Sequence, residues 1–182
     1  GKPLPDFATK YIESWKKFLP DYKIIRWDES NFDVHCLPYV EEAYQAKKYA
    51  FVSDYARLWV LYMYGGLYFG TDVEVIANMD DVISRGAFMA VENQILHKVM
   101  ISPGLVMGCE KGLPLLKGIV DSYADDHFVL ADGSLNLRTI NQRVTDKFLS
   151  LGWKHVDKTQ EEAGYTIYTS EYVCHLHART DR

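Results

Sequence analysis

One carboxylate in this chain stands where a divalent cation could be held. Asp72 lies in "GGLYFGTDVEV", Gly65 to Val75, at a polar turn between two short apolar runs. Hard cations such as Mg2+ and Mn2+ prefer oxygen ligands. Mg2+ commonly takes one or two carboxylates, and substrate phosphates complete its shell. Two carboxylates two residues apart would grip such a cation, yet the first of the two positions is Gly70. Glu74 follows Asp72 by two residues, and on a strand the two would share a face. Glu74 is then either a second ligand or an outer hydrogen-bond acceptor. Gly-Thr-Asp is also ordinary turn chemistry, and spacing alone does not choose between these readings.

A second pair lies just upstream, in "AFVSDYARLW", Ala50 to Trp59. Asp54 and Arg57 are three apart and share one face of a helix. A carboxylate accepts hydrogen bonds from sugar hydroxyls, and a guanidinium offers a fork of donors to hydroxyls or phosphate. The competing reading is a plain ion pair. Weaker signals are His175 and His177, two apart near the end, His97 in a loop, and Arg138 and Asn141 at the start of a late helix. The acidic run "DSYADDH", Asp121 to His127, reads as a solvated face.

The elements that must position these groups follow from periodicity. Phe7, Tyr11, Trp15 and Phe18 recur at helical spacing, so Asp6 to Phe18 reads as an amphipathic helix with Asp6 as its cap and Pro20 just past its end. Helices are expected over Pro38 to Lys48, Tyr49 to Tyr64 with Gly65 beyond it, Pro114 to Phe128, and Arg138 to Leu149. Strands are expected at "YKIIRW" (Tyr22 to Trp27), Leu67 to Phe69, Val73 to Val75, "AFMAVE" (Ala87 to Glu92), "GLVMG" (Gly104 to Gly108) and "YTIYTS" (Tyr165 to Ser170). Alternating helices and strands give the α/β class, with a mixed, largely parallel sheet flanked by helices. Ligands in such sheets bind beyond the carboxyl ends of the strands, which is where the Gly70–Asp72 turn falls.

The chain has 182 residues, enough for one domain with a substantial core. Its formal net charge of −5, without a long basic run, argues against nucleic acid as a partner. Thirteen tyrosines and four tryptophans suit an aromatic sugar- or base-binding cleft as well as an ordinary core. Three widely spaced cysteines, Cys36, Cys109 and Cys174, give neither a zinc pattern nor a disulfide framework, and point to a reducing, cytoplasmic compartment. No apolar run reaches the roughly 18 residues of a membrane span.

Taken together, "SDYARLWVLYMYGGLYFGTDVEV" resembles the core signature of the DXD-containing sugar transferases of glycosyltransferase family 32. Relatives of that family include the initiating mannosyltransferases and, more distantly, the clostridial toxin glucosyltransferase domains. "PDYKIIRWDE" (Pro20 to Glu29) resembles the family's early strand, and "TINQRVT" and "YTSEYVC" are fainter likenesses to bacterial polysaccharide members. The resemblance implies a Rossmann-like GT-A fold spanning 1–182 as one domain, a nucleotide-sugar donor, and transfer with retention of anomeric configuration. Asp54 and Arg57 would contact the transferred sugar. Tyr68, Gly70 and Thr71 would line the donor. Asp72, with Glu74 as a further option, would hold Mn2+ or Mg2+ on the diphosphate. UDP-sugars are the default donors and GDP-sugars the alternative. The acceptor would be a saccharide or lipid-linked glycan in capsule or exopolysaccharide assembly, which places the enzyme at the inner face of the membrane.

The likeness departs from the family in three places. Gly70 replaces the first aspartate of the motif. Losing one charged hydrogen-bond partner costs about 1.5–3 kcal/mol, roughly ten- to hundredfold in affinity or rate, so weakened activity is expected. A catalytically silent sugar-nucleotide-binding domain, or a structural module, is the alternative. The family's usual first strand before "GKPLPDF" and its closing segment after "HARTDR" are also expected to be missing.

Overall fold

A computed structural model describes residues 4, 6–93 and 99–173. Its helices are α1 (Asp6–Phe18), α2 (Pro38–Gln45), α3 (Tyr49–Tyr64), α4 (Asp80–Ile83), α5 (Pro114–Asp121) and α6 (Ile140–Leu151). Its strands are β1 (Gly66–Phe69), β2 (Ala87–Asn93), β3 (Val99–Ile101), β4 (Val106–Cys109), β5 (Gln160–Glu162) and β6 (Tyr165–Tyr168). They form a mixed six-stranded sheet in the order β1-β4-β2-β6-β5, with β3 also paired to β2.

α3 is the central packing element. Val52, Tyr55, Leu58 and Leu61 recur three apart on its inner face and are buried. It stops at Gly65, whose φ of 70° suits glycine and where a Cβ would sit 2.7 Å from the amide nitrogen of Lys111. α6 begins with a capping box: the Thr139 hydroxyl accepts from the Gln142 amide, and the Gln142 side chain accepts from the Thr139 amide. One face of β2, through Ala87, Met89 and Val91, joins a large core with α2, α3, α5 and α6. The other face, through Phe88 and Ala90, meets Val106 and Tyr168 in a smaller one.

The mixed α/β class stands, but the largely parallel sheet is corrected. Only β2 and β6 pair in parallel, Phe88 opposite Thr166, while the other pairings between named strands are antiparallel. Two reasons are local. Tyr22 to Trp27, expected as a strand, is irregular chain outside the sheet, with Ile24 and Ile25 about half exposed. Val73 to Val75 likewise belongs to no strand, and α1 takes its backbone groups instead. The strands that periodicity missed, β3 and β5, are three residues each and both antiparallel. α5 ends well before Phe128, because Glu42 of α2 binds the amides of Phe128 and Val129 and so fixes that stretch as a loop.

Candidate functional site

β4 runs antiparallel to both β1 and β2, and β2 runs parallel to β6, so β1, β2 and β6 all point one way. The turn carrying Asp72 leaves the carboxyl end of β1. The turn of residues 102–105 enters β4 beside it, since Phe69 pairs with Val106 and the Gly70 amide donates to the Leu105 carbonyl at 2.8 Å. The first turn of α6 reaches the same edge, because the Ile140 amide donates to Asp54 Oδ2 at 3.2 Å.

Asp54 and Arg57 form the expected pair, Oδ1 to Nη2 at 3.1 Å, with side chains only 14% and 11% exposed. Arg57 is held further by its own helix: Nε donates to the Ser53 carbonyl and Nη2 to the Ser53 hydroxyl, each at 3.0 Å. Its guanidinium carbon lies 4.8 Å from the centre of the Tyr68 ring, a cation–π contact. Burial pushes the Asp54 carboxyl above its ordinary value, and Arg57, the Ile140 amide and Arg143 offset only part of that. Burial likewise raises the Tyr68 hydroxyl, with Arg57 and Ser53 beside it acting in the opposite direction. Asp54 is thus a carboxyl whose ionised form burial disfavours, a perturbation found often at functional sites.

Thr71 and Asp72 are exposed at the turn, where the Val73 amide closes back on the Gly70 carbonyl at 3.0 Å. Glu74, also exposed, pairs through its carboxylate with Lys10 Nζ on α1 at 3.2 Å. Among the described residues no group of three or more His, Cys, Asp or Glu gathers as a metal centre. A single exposed carboxylate still suits a cation whose shell is completed by a diphosphate and water, so the residues fit Mn2+ or Mg2+ in that restricted sense.

Gly70 is closely enclosed. A Cβ there would stand 2.9 Å from both Asp72 Oδ1 and the Gly104 carbonyl oxygen. The place of the motif's first aspartate is therefore filled in this chain by the neighbouring turn.

Among the weaker sequence signals, Asn141 comes to the site, its Nδ2 donating to the Ser102 hydroxyl at 3.1 Å. Arg138 does not, and pairs at the surface with Asp146 at 2.6 Å. His97, His175 and His177 lie outside the described residues. Ser53, Ser102 and Glu92 went unassigned in the sequence. Ser53 was legible in principle, four residues before Arg57 on a helix. Ser102 and Glu92 meet only through strand pairing and carry no local signal. A recess of about 560 Å³ between α5 and α6 is lined by Asp126, Arg138, Arg143 and Asp146, whose charges already pair with one another.

Residues 5–89 match the family of the glycosyltransferase sugar-binding region containing a DXD motif. The matched stretch runs from α1 into β2 and includes Asp54, Arg57, Tyr68 and Asp72. The match makes this stretch, somewhat under half of the chain, similar to a glycosyltransferase sugar-binding region. No curated protein and no solved structure matches. Among the described residues no helix is long and apolar enough to cross a membrane.

Proposed function

We propose that the chain is a metal-dependent, retaining glycosyltransferase that moves a sugar from a nucleotide diphosphate to a saccharide acceptor, with activity weakened by Gly70. The observation that carries this reading is the convergence of Asp54, Arg57 and Tyr68 with the exposed Asp72 turn at one sheet edge, inside the matched stretch. UDP-sugars are the first donors to try and GDP-sugars the second. Bacterial surface-polysaccharide assembly at the inner face of the membrane is the setting that the family likeness favours.

The chemistry follows from charge. Breaking the sugar–phosphate bond leaves negative charge on the diphosphate, and a bound divalent cation stabilises it there. Asp72 would hold that cation. Asp54 and Arg57 would orient the sugar: each Asp54 oxygen keeps a lone pair for a hydroxyl beyond its present partner, and Arg57 Nη1 has no acceptor among the described residues. The ionised Asp54 also faces the positive charge that builds on the ring. As the acceptor oxygen bonds to the anomeric carbon, its proton passes to the departing phosphate oxygen, so no protein base is required. Orienting donor and acceptor supplies much of the remaining rate.

The enclosed Gly70 favours a second reading, a domain that binds the donor and transfers little. Thermal melting with UDP and with GDP, each with and without Mn2+, tests the donor site first. A ligand at a hundred times its Kd stabilises by about 2.7 kcal/mol, a rise of roughly 5–10 °C for a chain this size. A rise that requires both nucleotide and Mn2+ is expected. No shift with either nucleotide in a cooperatively folded sample would rule out the donor site. A shift without sugar transfer would favour the second reading.

A further inference from the structure

Arg143 of α6 is a buried cation to which the chemistry above gives no task. It is only 7% exposed. Its guanidinium carbon lies 4.3 Å from the centre of the Tyr123 ring and 5.2 Å from that of Tyr39, and the two rings meet edge to face at 5.0 Å. Nη2 donates to Asp126 Oδ2. That carboxylate is itself held by the His127 amide and by Asn136 Nδ2. The Nε of Arg143 is fully enclosed and has no hydrogen-bond partner among the described residues. Burying a guanidinium with one donor unsatisfied costs stability. Packing alone would be better served there by an apolar side chain.

The neighbours show what the charge stands beside. Arg143 follows Ile140 by three residues on α6, so the two share a face. That face meets α3 at Asp54, whose Oδ2 accepts from the Ile140 amide at 3.2 Å. Asp54 is thus faced by Arg57 on its own helix, at 3.1 Å, and by the Ile140 amide and Arg143 of α6. All three favour its ionised form against burial. The other titratable groups in its field are the phenols of Tyr39 on α2, Tyr68 on β1 and Tyr123 after α5. Burial raises all three, so they stay neutral while the carboxyl titrates.

We infer that Arg143 is a positioning residue for Asp54: a cation fixed between Tyr39 and Tyr123 and anchored on Asp126, which sets the start of α6 against the carboxylate and supplies a second positive charge beside it. When a ligand draws on Arg57, Arg143 still favours the ionised carboxylate. The use of Asp54 on a donor sugar rests on the reading above, whereas the placing of Arg143 behind it does not.

The test follows the Asp54 carboxyl by carbon-detected NMR titration of the full chain, with Asp54→Asn to assign the signal. Arg143→Gln keeps a donor for Asp126 but no charge, and the Asp54 midpoint is expected to move upward. Arg143→Lys keeps the charge, and its midpoint is expected to stay near the parent's. A purely structural role would not separate the two variants by charge. If Arg143→Gln alone does not fold, combining it with Asp126→Asn removes both charges together, and the same upward shift is expected. An unmoved midpoint in the neutral variants, or an equal shift in Arg143→Lys, overturns the assignment. Calorimetry with UDP-glucose and GDP-mannose against the free nucleotides, in Mn2+ from about pH 8 down to about pH 5, gives the second readout. In Arg143→Gln the accepted nucleotide sugar is expected to lose up to about tenfold in relative affinity at the acidic end, and little at the other. If the midpoint moves as expected but no nucleotide binds the parent chain, the donor reading fails while Arg143 still positions Asp54.

Discussion

At the residue scale, the site holds two carboxylates in opposite conditions. Asp72 is exposed and free to meet a cation, whereas Asp54 is enclosed and raised by burial. A carboxyl whose folded pKa lies above its unfolded value favours the fold at low pH, and that contribution is lost as pH rises through the folded value. Burial of the Asp54 carboxylate is thus a cost to the fold wherever that group is ionised. Asp54→Asn has no such titration, so the melting temperature of the parent relative to the variant should rise as pH falls from about 7 to about 4.5. A relative fall in parallel melts would show that Arg57 outweighs burial. Gly70→Asp joins two effects of opposite sign. Its Cβ must displace the Gly104 carbonyl, so the unliganded melting temperature is expected to drop. The shift produced by nucleotide with Mn2+ is expected to grow, since a second carboxylate enters the donor site. An unchanged shift would mean that the enclosed turn, and not the missing charge, limits binding.

At the scale of elements, α1 braces the Asp72 turn through one side chain. The Trp15 ring stacks on Phe69 just before the turn, centroids 5.3 Å apart, and its Nε1 donates to the Val73 carbonyl just after it at 2.8 Å. The Ser14 hydroxyl adds a bond from the Val75 amide at 2.9 Å. Trp15→Phe keeps the stack and loses the donor. It should weaken Mn2+-dependent nucleotide binding several-fold while costing about 1 kcal/mol of stability; equal loss of Mn2+-independent binding would reduce Trp15 to general packing. α2 makes a comparable clasp through Glu42, whose bond to His127 Nδ1 raises the imidazole above its ordinary value. That contribution is present below about pH 6.5 and fades as pH rises through the folded value. In an NMR titration Glu42→Gln should return His127 toward its ordinary value, and an unaltered titration would exclude the pairing. These elements were legible to very different degrees. α1 and α3 declare themselves by apolar residues three and four apart, and β1 by the Gly65-Gly66 break before it. Tyr22 to Trp27 has the composition of a strand but no strand beside it, a fact of tertiary pairing. β3 and β5 are too short for alternation to register. Asp54 and Arg57 were legible as a pair because they lie three apart on one helix, whereas Ser102 and Asn141 meet only across the fold.

At the scale of the whole molecule, the site is assembled from distant parts of the chain: α3, the end of β1, the turn before β4 and the first turn of α6. Each part is fixed by apolar packing, backbone pairing or side-chain hydrogen bonds that need no metal ion. The two cores lie on opposite faces of β2, and the α6 terminus is held by its own capping box and by Asp54. Among the described residues no side-chain cluster could bind a metal as a structural support. Under the proposed function the cation would act between Asp72 and a diphosphate. The net charge of −5 works against an anionic nucleotide arriving without it. Chelation should therefore separate folding from binding. With excess EDTA, the melting temperature of the unliganded protein is expected to stay within about 1 °C of its untreated value, while the rise produced by nucleotide disappears. Asp72→Asn should reproduce the second effect without the first, because its side chain is exposed and supports no core residue. A marked fall of the unliganded melting temperature in EDTA would reveal a cation built into the fold. A nucleotide-induced rise that survives EDTA would instead place the diphosphate on Arg57 and backbone amides, with no cation at Asp72.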